Sequence, residues 1–488
     1  MTTLSIRLTK TLSLLLISTT SLFIGSPQAN AQSPAAPVAA PSTAAAVDTA
    51  PSGGLFIKIT EAGVKKSLMA LPAFQFVGSP TSARNGVKIG KDLFDVFRND
   101  MDVSGFFDFI KPEAFLEDAN KVGLKPAPGE AGGFKYDSWK QIGTEFLVRV
   151  GYRVNGNDLS VDSYVYYVPQ QKVVLSKTYK AGPNDARTVA HTFANDVIKA
   201  LTGQPGSFLS KLVVSRSTNK GEKEIFVMDW DAANQKQITR HQTISQSPAV
   251  SHDGKWVAYS SFALHNKKTR NLDLFLYNLE TGKRSAISYR QGVNSGADFF
   301  PGDRSLALTV SNSGNSDIYK MGTDGISLTK LTNTGKGILN VEPAVSPDGS
   351  KIAFSSDRSG NAMIYVMNAD GSNVKRLTIA GKYNATPSWS PDGKKIAFAG
   401  YDSSHFDIFM MNADGTNMSR LTSASKANGK MSNNEEPTFS PDGRNILFRS
   451  DRTGKSQLYV TSLDGENERR VTFDQHEYFK PRWSTSFE

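Results

Sequence analysis

The last three-fifths of the chain repeats one unit, and this repetition constrains the fold more than any other feature. Three copies nearly superimpose, at residues 342–378, 386–422 and 436–472, and each carries a Ser-Pro-Asp-Gly turn near its start. Repeats of roughly 40 to 50 residues that hold short apolar strands and turns are typical of β-propellers. The sequence therefore predicts an all-β ring.

Counting strand-sized segments gives the number of blades. The second, third and fourth strands of the unit each occur six times, but the first strand precedes a second strand only five times. The sixth first strand stands alone at residues 480–484, whereas the second strand that starts at Leu212 has none before it. We predict six four-stranded blades in which the C-terminal strand completes the first blade, because closure hides sheet edges. Trp389, Phe439 and Trp483 are expected to pack between blades.

The N-terminus predicts export. Arg7 and Lys10 precede a short apolar run, and Ala29-Asn30-Ala31 ends it with small residues, which is typical of a secretory signal peptide at residues 1–31. No later run approaches the roughly 18 apolar residues of a membrane span, so the exported product is expected to be soluble. Residues 32–54 are rich in Ala, Pro, Ser and Thr, and this composition predicts a flexible segment.

Between this segment and the ring, residues 55–206 predict a mixed α/β domain. Strands are expected at residues 57–59, 69–76 and 106–110, and a three-stranded meander at residues 144–179. Two helices are expected, one around Leu93 and one that ends at Gly203. The predicted fold is thus an α/β N-terminal domain followed, from residue 207 to 488, by a six-bladed β-propeller.

Nothing in the sequence predicts catalysis, a cofactor or a metal site. Cysteine is absent, and no nucleophile elbow or phosphate-binding glycine loop occurs. The Asp-Gly pairs recur at equivalent places in the repeats, so turn formation explains them. The formal net charge of +10 is dispersed among acidic residues, which argues against nucleic acid. None of the histidines has metal-ligand spacing, and surface or hairpin positions are expected for His191, His241, His252, His265, His405 and His476.

A binding function is therefore expected, on the face of the ring that carries its variable connections. In a propeller blade, the first and third turns lie on one face, and here these turns are uniformly tight. The opposite face carries the basic loop at residues 262–271 and the stretch at residues 423–436, which includes Glu435 and Glu436. Variable loops on a rigid ring usually carry recognition. Tolerated insertions are the alternative explanation.

These patterns resemble the TolB family, the periplasmic propeller proteins of the Tol-Pal envelope system. The resemblance rests on the repeated Pro-x-Trp/Phe/Val-Ser-Pro-Asp-Gly unit, on the segment from Ile364 to Thr378 and on the closing residues 480–484. Upstream, Leu71-Pro72-Ala73-Phe74 and Leu201-Thr202-Gly203 also match the family. The resemblance covers essentially the whole chain after the predicted signal peptide except residues 32–54.

The resemblance implies a non-enzymatic periplasmic protein that supports outer-membrane invagination during division and envelope integrity. Its partners would be the lipoprotein Pal, bound on the propeller, and TolA, bound through the N-terminal segment; association with the outer membrane would be peripheral, through Pal. The implied Pal contacts are Glu342, Val341, Asn294 and Ser295, of which the last two lie in a predicted loop, and a solvated loop position is the alternative for Glu342. The implied TolA-binding segment contains Leu55, Ile57, Ile59 and Val64.

Two other functions remain open from the residues alone. A propeller can bind a glycan or small molecule in its channel, and a pair of carboxylates there at catalytic separation would permit hydrolysis of envelope polymers. A structural adaptor unrelated to division is the third possibility.

Overall fold

The structure is a computed structural model that describes residues 45–48, 66–79, 83–218, 221–264, 271–312, 314–401 and 404–486. The predicted signal peptide, most of the predicted flexible segment and the strand expected at residues 57–59 lie outside these ranges. So does the basic part of the loop at residues 262–271. No described helix combines the length and the apolar composition that a membrane span requires.

The α/β domain contains a mixed seven-stranded sheet in the order β1-β7-β6-β5-β2-β4, with β3 paired to β5. The pairs β2–β4, β2–β5 and β3–β5 are parallel, and β5, β6 and β7 form the predicted antiparallel meander. The strands are β1 (Ala45–Asp48), β2 (Ser67–Ala70), β3 (Gln75–Phe76), β4 (Phe107–Phe109), β5 (Phe146–Asn155), β6 (Asp158–Tyr167) and β7 (Lys172–Ala181). The helices are α1 (Ala83–Val103), α2 (Tyr136–Gln141) and α3 (Ala186–Thr202).

Helices α1 and α3 pack together through the apolar stripes that predict them. Phe97 of α1 stacks on Phe193 of α3 with ring centroids 4.3 Å apart, and both are buried against the sheet. Helix α3 ends as expected at Gly203, whose φ of 80° is a left-handed conformation that favours glycine.

Three details of the α/β domain differ from the predictions. The expected strand at residues 69–76 is two short strands, because the chain leaves the sheet over Leu71–Phe74. Helix α2 was not predicted, since six residues are too few to display a helical period. The segment expected to be flexible contributes strand β1, which pairs antiparallel with the edge strand β7. Edge pairing uses backbone groups alone, so a composition poor in large apolar residues does not exclude it.

Within the described residues, 24 strands form six four-stranded antiparallel sheets, which confirms the predicted six-bladed propeller. Blade 1 begins with β8 (Ser210–Ser217), β9 (Lys223–Asp229) and β10 (Lys236–Gln237). Blade 2 consists of β11 (Ser245–Val250), β12 (Trp256–Ser261), β13 (Asp273–Asn278) and β14 (Arg284–Ser288). Blade 3 consists of β15 (Asn294–Phe299), β16 (Ser305–Asn312), β17 (Asn315–Gly322) and β18 (Leu328–Lys330). Blade 4 consists of β19 (Asn340–Val345), β20 (Lys351–Ser356), β21 (Met363–Asn368) and β22 (Lys375–Arg376). Blades 5 and 6 are β23 (Tyr383–Trp389), β24 (Lys395–Tyr401), β25 (Phe406–Asn412), β26 (Ser419–Arg420); β27 (Asn434–Phe439), β28 (Asn445–Ser450), β29 (Gln457–Ser462), β30 (Arg469–Arg470).

The last strand, β31 (Tyr478–Ser486), closes the ring by pairing antiparallel with β8 of blade 1. Trp483 lies opposite Leu212, donates a 2.6 Å hydrogen bond from Nε1 to Ser210 Oγ, and stacks on Trp230 at 6.3 Å. This is the predicted completion of the first blade by the C-terminal strand.

Neighbouring blades pack through apolar clusters, and the three predicted aromatic residues lie in them. Trp389 of blade 5 belongs to a buried cluster that includes Ala353 of blade 4, and Phe439 of blade 6 belongs to one that includes Ala397 of blade 5. Trp483 belongs to the cluster that joins blades 1 and 6. Because each blade buries a face only against its neighbours, the closed ring is the unit of stability.

The α/β domain sits on the face of the ring that carries the tight turns, over blades 6 and 1. Asp102 pairs with Arg469 at 2.6 Å, and the guanidinium of Arg444 lies 4.3 Å from the centre of the Phe106 ring. On blade 1, Trp230 is 2% exposed and joins the core cluster of the α/β domain. The opposite face, which carries the variable connections and which we call the loop face, lies on the other side of the ring.

Replacing Trp483 by Ala tests the closure. The change removes the stacking on Trp230 and the bond to Ser210, so we expect the free energy of unfolding to fall by about 3 kcal/mol. Urea denaturation followed by circular dichroism measures it. Ile326→Ala, at a side chain that is 82% exposed, is the control and should change the free energy by less than about 0.5 kcal/mol. Equal effects of the two substitutions would contradict this role of Trp483.

Candidate functional site

A ring of six residues surrounds the channel, one from the innermost strand of each blade. Every innermost strand has a register shift against its neighbour, and at that point one residue has a positive φ between 48° and 62°. Such a bulge bends the strand and redirects a side chain. We call these residues the bulge ring: Ser247, Gly296, Glu342, Thr386, Glu436 and Lys480.

One cation links the charged members of the bulge ring across the channel. Lys480 Nζ lies 2.7 Å from Glu342 Oε1 and 3.7 Å from Glu436 Oε1. The backbone N–H of Lys480 donates to Glu436 Oε2 at 2.6 Å, and that of Thr386 donates to Glu342 Oε2 at 3.1 Å. Each glutamate therefore joins its own blade to the next and to Lys480.

The surrounding charges favour the ionised forms of Lys480 and Glu436. Burial alone would lower the pKa of Lys480, but Glu342 and Glu436 outweigh it and the pKa is raised. Burial would raise the pKa of Glu436, but Arg449 and Lys480 outweigh it and the pKa is lowered. A general acid in a hydrolase needs a raised pKa. The arrangement around Glu436 therefore suits binding by fixed charge better than proton transfer.

The four residues implied as Pal contacts differ in their exposure to solvent. The side chain of Glu342 is 20% exposed in the bulge ring, and the neighbouring Val341 is 8% exposed. Asn294 and Ser295 are buried, and they are the first two residues of strand β15. The prediction that they lie in a loop is therefore wrong. The amide of Asn294 donates to the backbone oxygens of Leu272 and Arg290, so it supports the loop face from within.

The acidic loop expected at residues 423–436 also differs from the prediction. Glu435 and Glu436 belong to strand β27, and both pair with Arg449, whose side chain is 14% exposed. Buried carboxylates require such a partner. The described connection before them is instead fastened by Lys426, whose Nζ lies 2.7 Å from Asp451 Oδ2.

A buried hydrogen-bond motif holds the connections of the loop face in place. In blade 3, Thr332 Oγ1 accepts from the backbone N–H of Ile318 and donates to Asp317 Oδ1 at 2.7 Å. Asn340, on the first strand of the next blade, donates to the same carboxylate at 3.1 Å. The same arrangement recurs at Thr422, Asp407 and Asn434. Buried polar groups satisfied in this way rigidify the surface above them.

Two of the histidines expected at surface or hairpin positions are buried: His191 lies on helix α3, contrary to the prediction, whereas His405 lies in the hairpin connection between β24 and β25. His191 is 3% exposed on α3 and contacts Asp100, and His405 is 8% exposed and contacts Asp407 at 2.8 Å. A histidine can be buried without a large loss of stability where a carboxylate accepts a hydrogen bond from its ring. Spacing along the sequence could not reveal the pair of His191, because Asp100 lies 91 residues away in the chain.

Sequence profiles of two protein domains match this chain. The profile of the TolB beta propeller domain matches residues 198–429 and 386–487, and that of the TolB amino-terminal domain matches residues 55–174. Together, the two matches of the propeller profile span residues 198–487, which is more than half of the 488-residue chain. The chain belongs to the TolB family.

Relatives in the TolB family are moderately similar in sequence. The Tol-Pal system protein TolB of Desulfosudis oleivorans is 31% identical over 279 residues, which cover 57% of this chain and 60% of that protein. The TolB homolog of Chlorobium luteolum is 31% identical over 300 residues, which cover 62% of this chain and 64% of that protein. The chain thus spans about three-fifths of the length of these curated relatives.

The crystal structure of TolB from Acinetobacter baumannii has the same fold. It superimposes with a TM-score of 0.70 at 24% identity, covering 86% of this chain and 97% of that one. The resemblance stated from the sequence motifs is confirmed at the level of family and fold. The family comprises propeller proteins of the Tol-Pal system.

Sequence reasoning missed the bulge ring as a charged site of this TolB family member. A signal was present: five of its six residues directly precede the proline of an innermost strand, and three of them are charged with opposite signs. Aligning the repeats at this proline would have grouped Glu342, Glu436 and Lys480 at one height of the channel.

His241 makes the stability of the ring dependent on pH. Its Nε2 lies 2.9 Å from the Tyr259 hydroxyl, and burial, followed by the charge of Arg284, lowers the pKa of His241 to about 4. In the unfolded chain the pKa of histidine is about 6.5. Between these values the unfolded chain binds more protons, so the free energy of unfolding falls as the pH falls.

We expect the loss of unfolding free energy between pH 7 and pH 4.5 to be smaller in His241→Gln by about 1 to 2 kcal/mol, because solvent that reaches the partly buried ring reduces the effect. Urea denaturation of both proteins at the two pH values measures the difference. His252→Gln, at a side chain that is 48% exposed, is the control. If His241→Gln shows the same pH dependence as the unsubstituted protein, His241 is not the responsible group.

Proposed function

We propose that this chain is the periplasmic, non-enzymatic propeller component of a Tol-Pal system. In this proposal it binds the lipoprotein Pal on the loop face and TolA through its N-terminal segment. Family membership supports the system, and the curated relatives carry the name Tol-Pal system protein. The signal-like N-terminus supports the periplasm. The biological role would be outer-membrane invagination during division and maintenance of the envelope.

The position of the α/β domain is the observation that carries the choice of face. This domain contacts the face of the ring that carries the tight turns, over blades 6 and 1, through pairs such as Asp102–Arg469. It therefore occupies part of that face. The loop face combines the bulge ring with connections that buried hydrogen bonds hold rigid. A rigid surface loses little conformational entropy on binding, which favours affinity.

Glu342 is the residue through which Pal would be bound. Its carboxylate is the partly exposed acid of the bulge ring, and Lys480 and the Thr386 backbone N–H hold it in one position. A preoriented carboxylate can accept charge-assisted hydrogen bonds from N–H groups of a partner. Val341 supports it from the same strand, whereas Asn294 and Ser295 would act indirectly by fixing the strand of the preceding blade.

Replacing Glu342 by Gln tests the Pal site. The change removes the charge but keeps the shape, and we expect Pal to bind about tenfold more weakly, the equivalent of about 1.4 kcal/mol. Isothermal titration calorimetry with purified Pal measures the affinity, and thermal unfolding verifies that the ring is intact. Asp370→Asn, in an exposed turn of the opposite face, is the matched control. Equal affinity of both variants would remove Glu342 from the interface.

The TolA-binding segment would lie in residues 55–64, which include Leu55, Ile57, Ile59 and Val64 and are outside the described residues. Deleting residues 32–54 is expected to leave TolA binding within about threefold of the full chain. Replacing Ile57 and Ile59 together by Ser should reduce it at least about tenfold, because apolar anchors dominate such contacts. A pull-down with the periplasmic domain of TolA compares the two. If the deletion abolishes binding and the double substitution does not, the segment lies upstream.

A further inference from the structure

A cluster of ionisable groups is buried where the α/β domain meets blade 1. His191 projects from α3, Asp100 from α1, and Asp229 and Asp231 from the end of β9 and the turn that follows it. Asp100 is 0% exposed and His191 is 3% exposed. The proposed functions of the loop face and of the N-terminal segment do not use this cluster.

Asp100 fixes the orientation of the His191 ring. Asp100 Oδ2 lies 2.7 Å from His191 Nδ1, and since a carboxylate only accepts, Nδ1 is the donor. The other ring nitrogen, Nε2, is buried and has no hydrogen-bond partner among the described residues. It points toward Asp231, whose Oδ2 lies 3.9 Å away. A histidine held by a carboxylate at one nitrogen, with the other directed at oxygen ligands, is the arrangement found around protein-bound zinc.

His191, Asp229 and Asp231 bring three potential metal ligands together. Their ligand atoms lie within 4.8 Å of one another, and the three residues are buried or partly buried. Ligands of a tetrahedral zinc ion, each about 2.0 to 2.2 Å from the metal, are separated by roughly 3.4 Å. Shifts of about 1 Å or less per side chain would therefore complete the coordination.

With the neutral imidazole that a metal ligand requires, the cluster carries one negative charge in excess. Three carboxylates, of Asp100, Asp229 and Asp231, are opposed by Arg187, which pairs with Asp231, and by Lys211, whose Nζ is 2.5 Å from Asp229 Oδ1. Asn234 donates to the other oxygen of Asp229 at 2.7 Å but carries no charge. An excess negative charge in a buried site is costly unless a cation offsets it.

An ion has a route to this position. A cavity of about 240 Å³ lies beside the cluster and is lined by Arg187, Trp230 and Asp231, together with Arg469 and Phe473 from blade 6. Arg187 lines the cavity and can turn into it, and this movement would release the carboxylate of Asp231 toward an incoming ion. Ligand set, supporting carboxylate and access are the features that a metal site requires.

We propose that His191 Nε2 and the carboxylates of Asp229 and Asp231 bind one zinc-class divalent ion, with Asp100 as the supporting carboxylate. Imidazole with carboxylates suits Zn²⁺ and Co²⁺. The ion takes its nitrogen ligand from the α/β domain and its oxygen ligands from blade 1, so it joins the two domains at this point.

The test is metal binding to the full mature chain after removal of bound metal with EDTA. Equilibrium dialysis against Zn²⁺ should give one bound ion per chain, and Co²⁺ should give visible absorption bands of low-symmetry coordination at the same stoichiometry. Asp231→Asn and His191→Gln should each weaken binding at least about tenfold, and Asp100→Asn by about 10- to 100-fold.

His252→Gln is the matched control. His252 Nδ1 lies 2.8 Å from Asp303 Oδ1, a histidine–aspartate pair of the same geometry, but it belongs to no three-ligand cluster among the described residues. This variant should bind Zn²⁺ as the unsubstituted chain does. If His191→Gln does not fold, Asp231→Asn at the partly exposed ligand decides. Absence of saturable binding, or unchanged binding in Asp231→Asn, would overturn the proposal and leave a proton as the occupant of His191 Nε2.

Discussion

The antiparallel pairing of β31 with β8 is the interaction on which the rest of the structure depends. It joins residues such as Trp483 and Leu212, which lie far apart in the chain, and it converts a row of blades into a ring. Each blade then has a neighbour on both sides, so every apolar face is covered. The same strand carries Lys480 into the channel. Closure and the charged site are therefore made by one segment.

Buried charge organises both the channel and the domain junction, in different ways. In the channel, Lys480 lies between Glu342 and Glu436, so the charges are satisfied across the ring. At the junction, Asp100 and His191 pair with each other through one atom each, whereas His191 Nε2 has no hydrogen-bond partner among the described residues and lies near the carboxylates of Asp229 and Asp231. Removing one charged side chain from such a set lowers the stability of the fold by more than the intact set raises it, because its partner is left buried and unpaired. Both places thus favour a single arrangement of the chain over alternatives.

The blades, their number and the closure were predictable from sequence because their determinants are local. A Pro-Asp-Gly turn and alternating apolar residues specify a hairpin within a dozen residues, and the repeat supplies the count. The site was less predictable, because its contacts join residues distant in sequence, as Lys480 joins Glu342. Asn294 illustrates the limit: the family resemblance suggested a loop there, yet Asn294 is buried in β15, where its side-chain amide donates hydrogen bonds to backbone oxygens. Strand β1 escaped prediction because edge pairing needs no apolar side chains.

The α/β domain straddles the seam at which the two ends of the ring are joined. It contacts blade 6 through Asp102 and Arg469, and blade 1 through Arg187 and Asp231, which stand on either side of β31. A tensile load applied to this domain is consequently shared by both flanks of the seam instead of peeling one strand away. Opening the ring at this seam would therefore also require the contacts of the α/β domain with both blades to break.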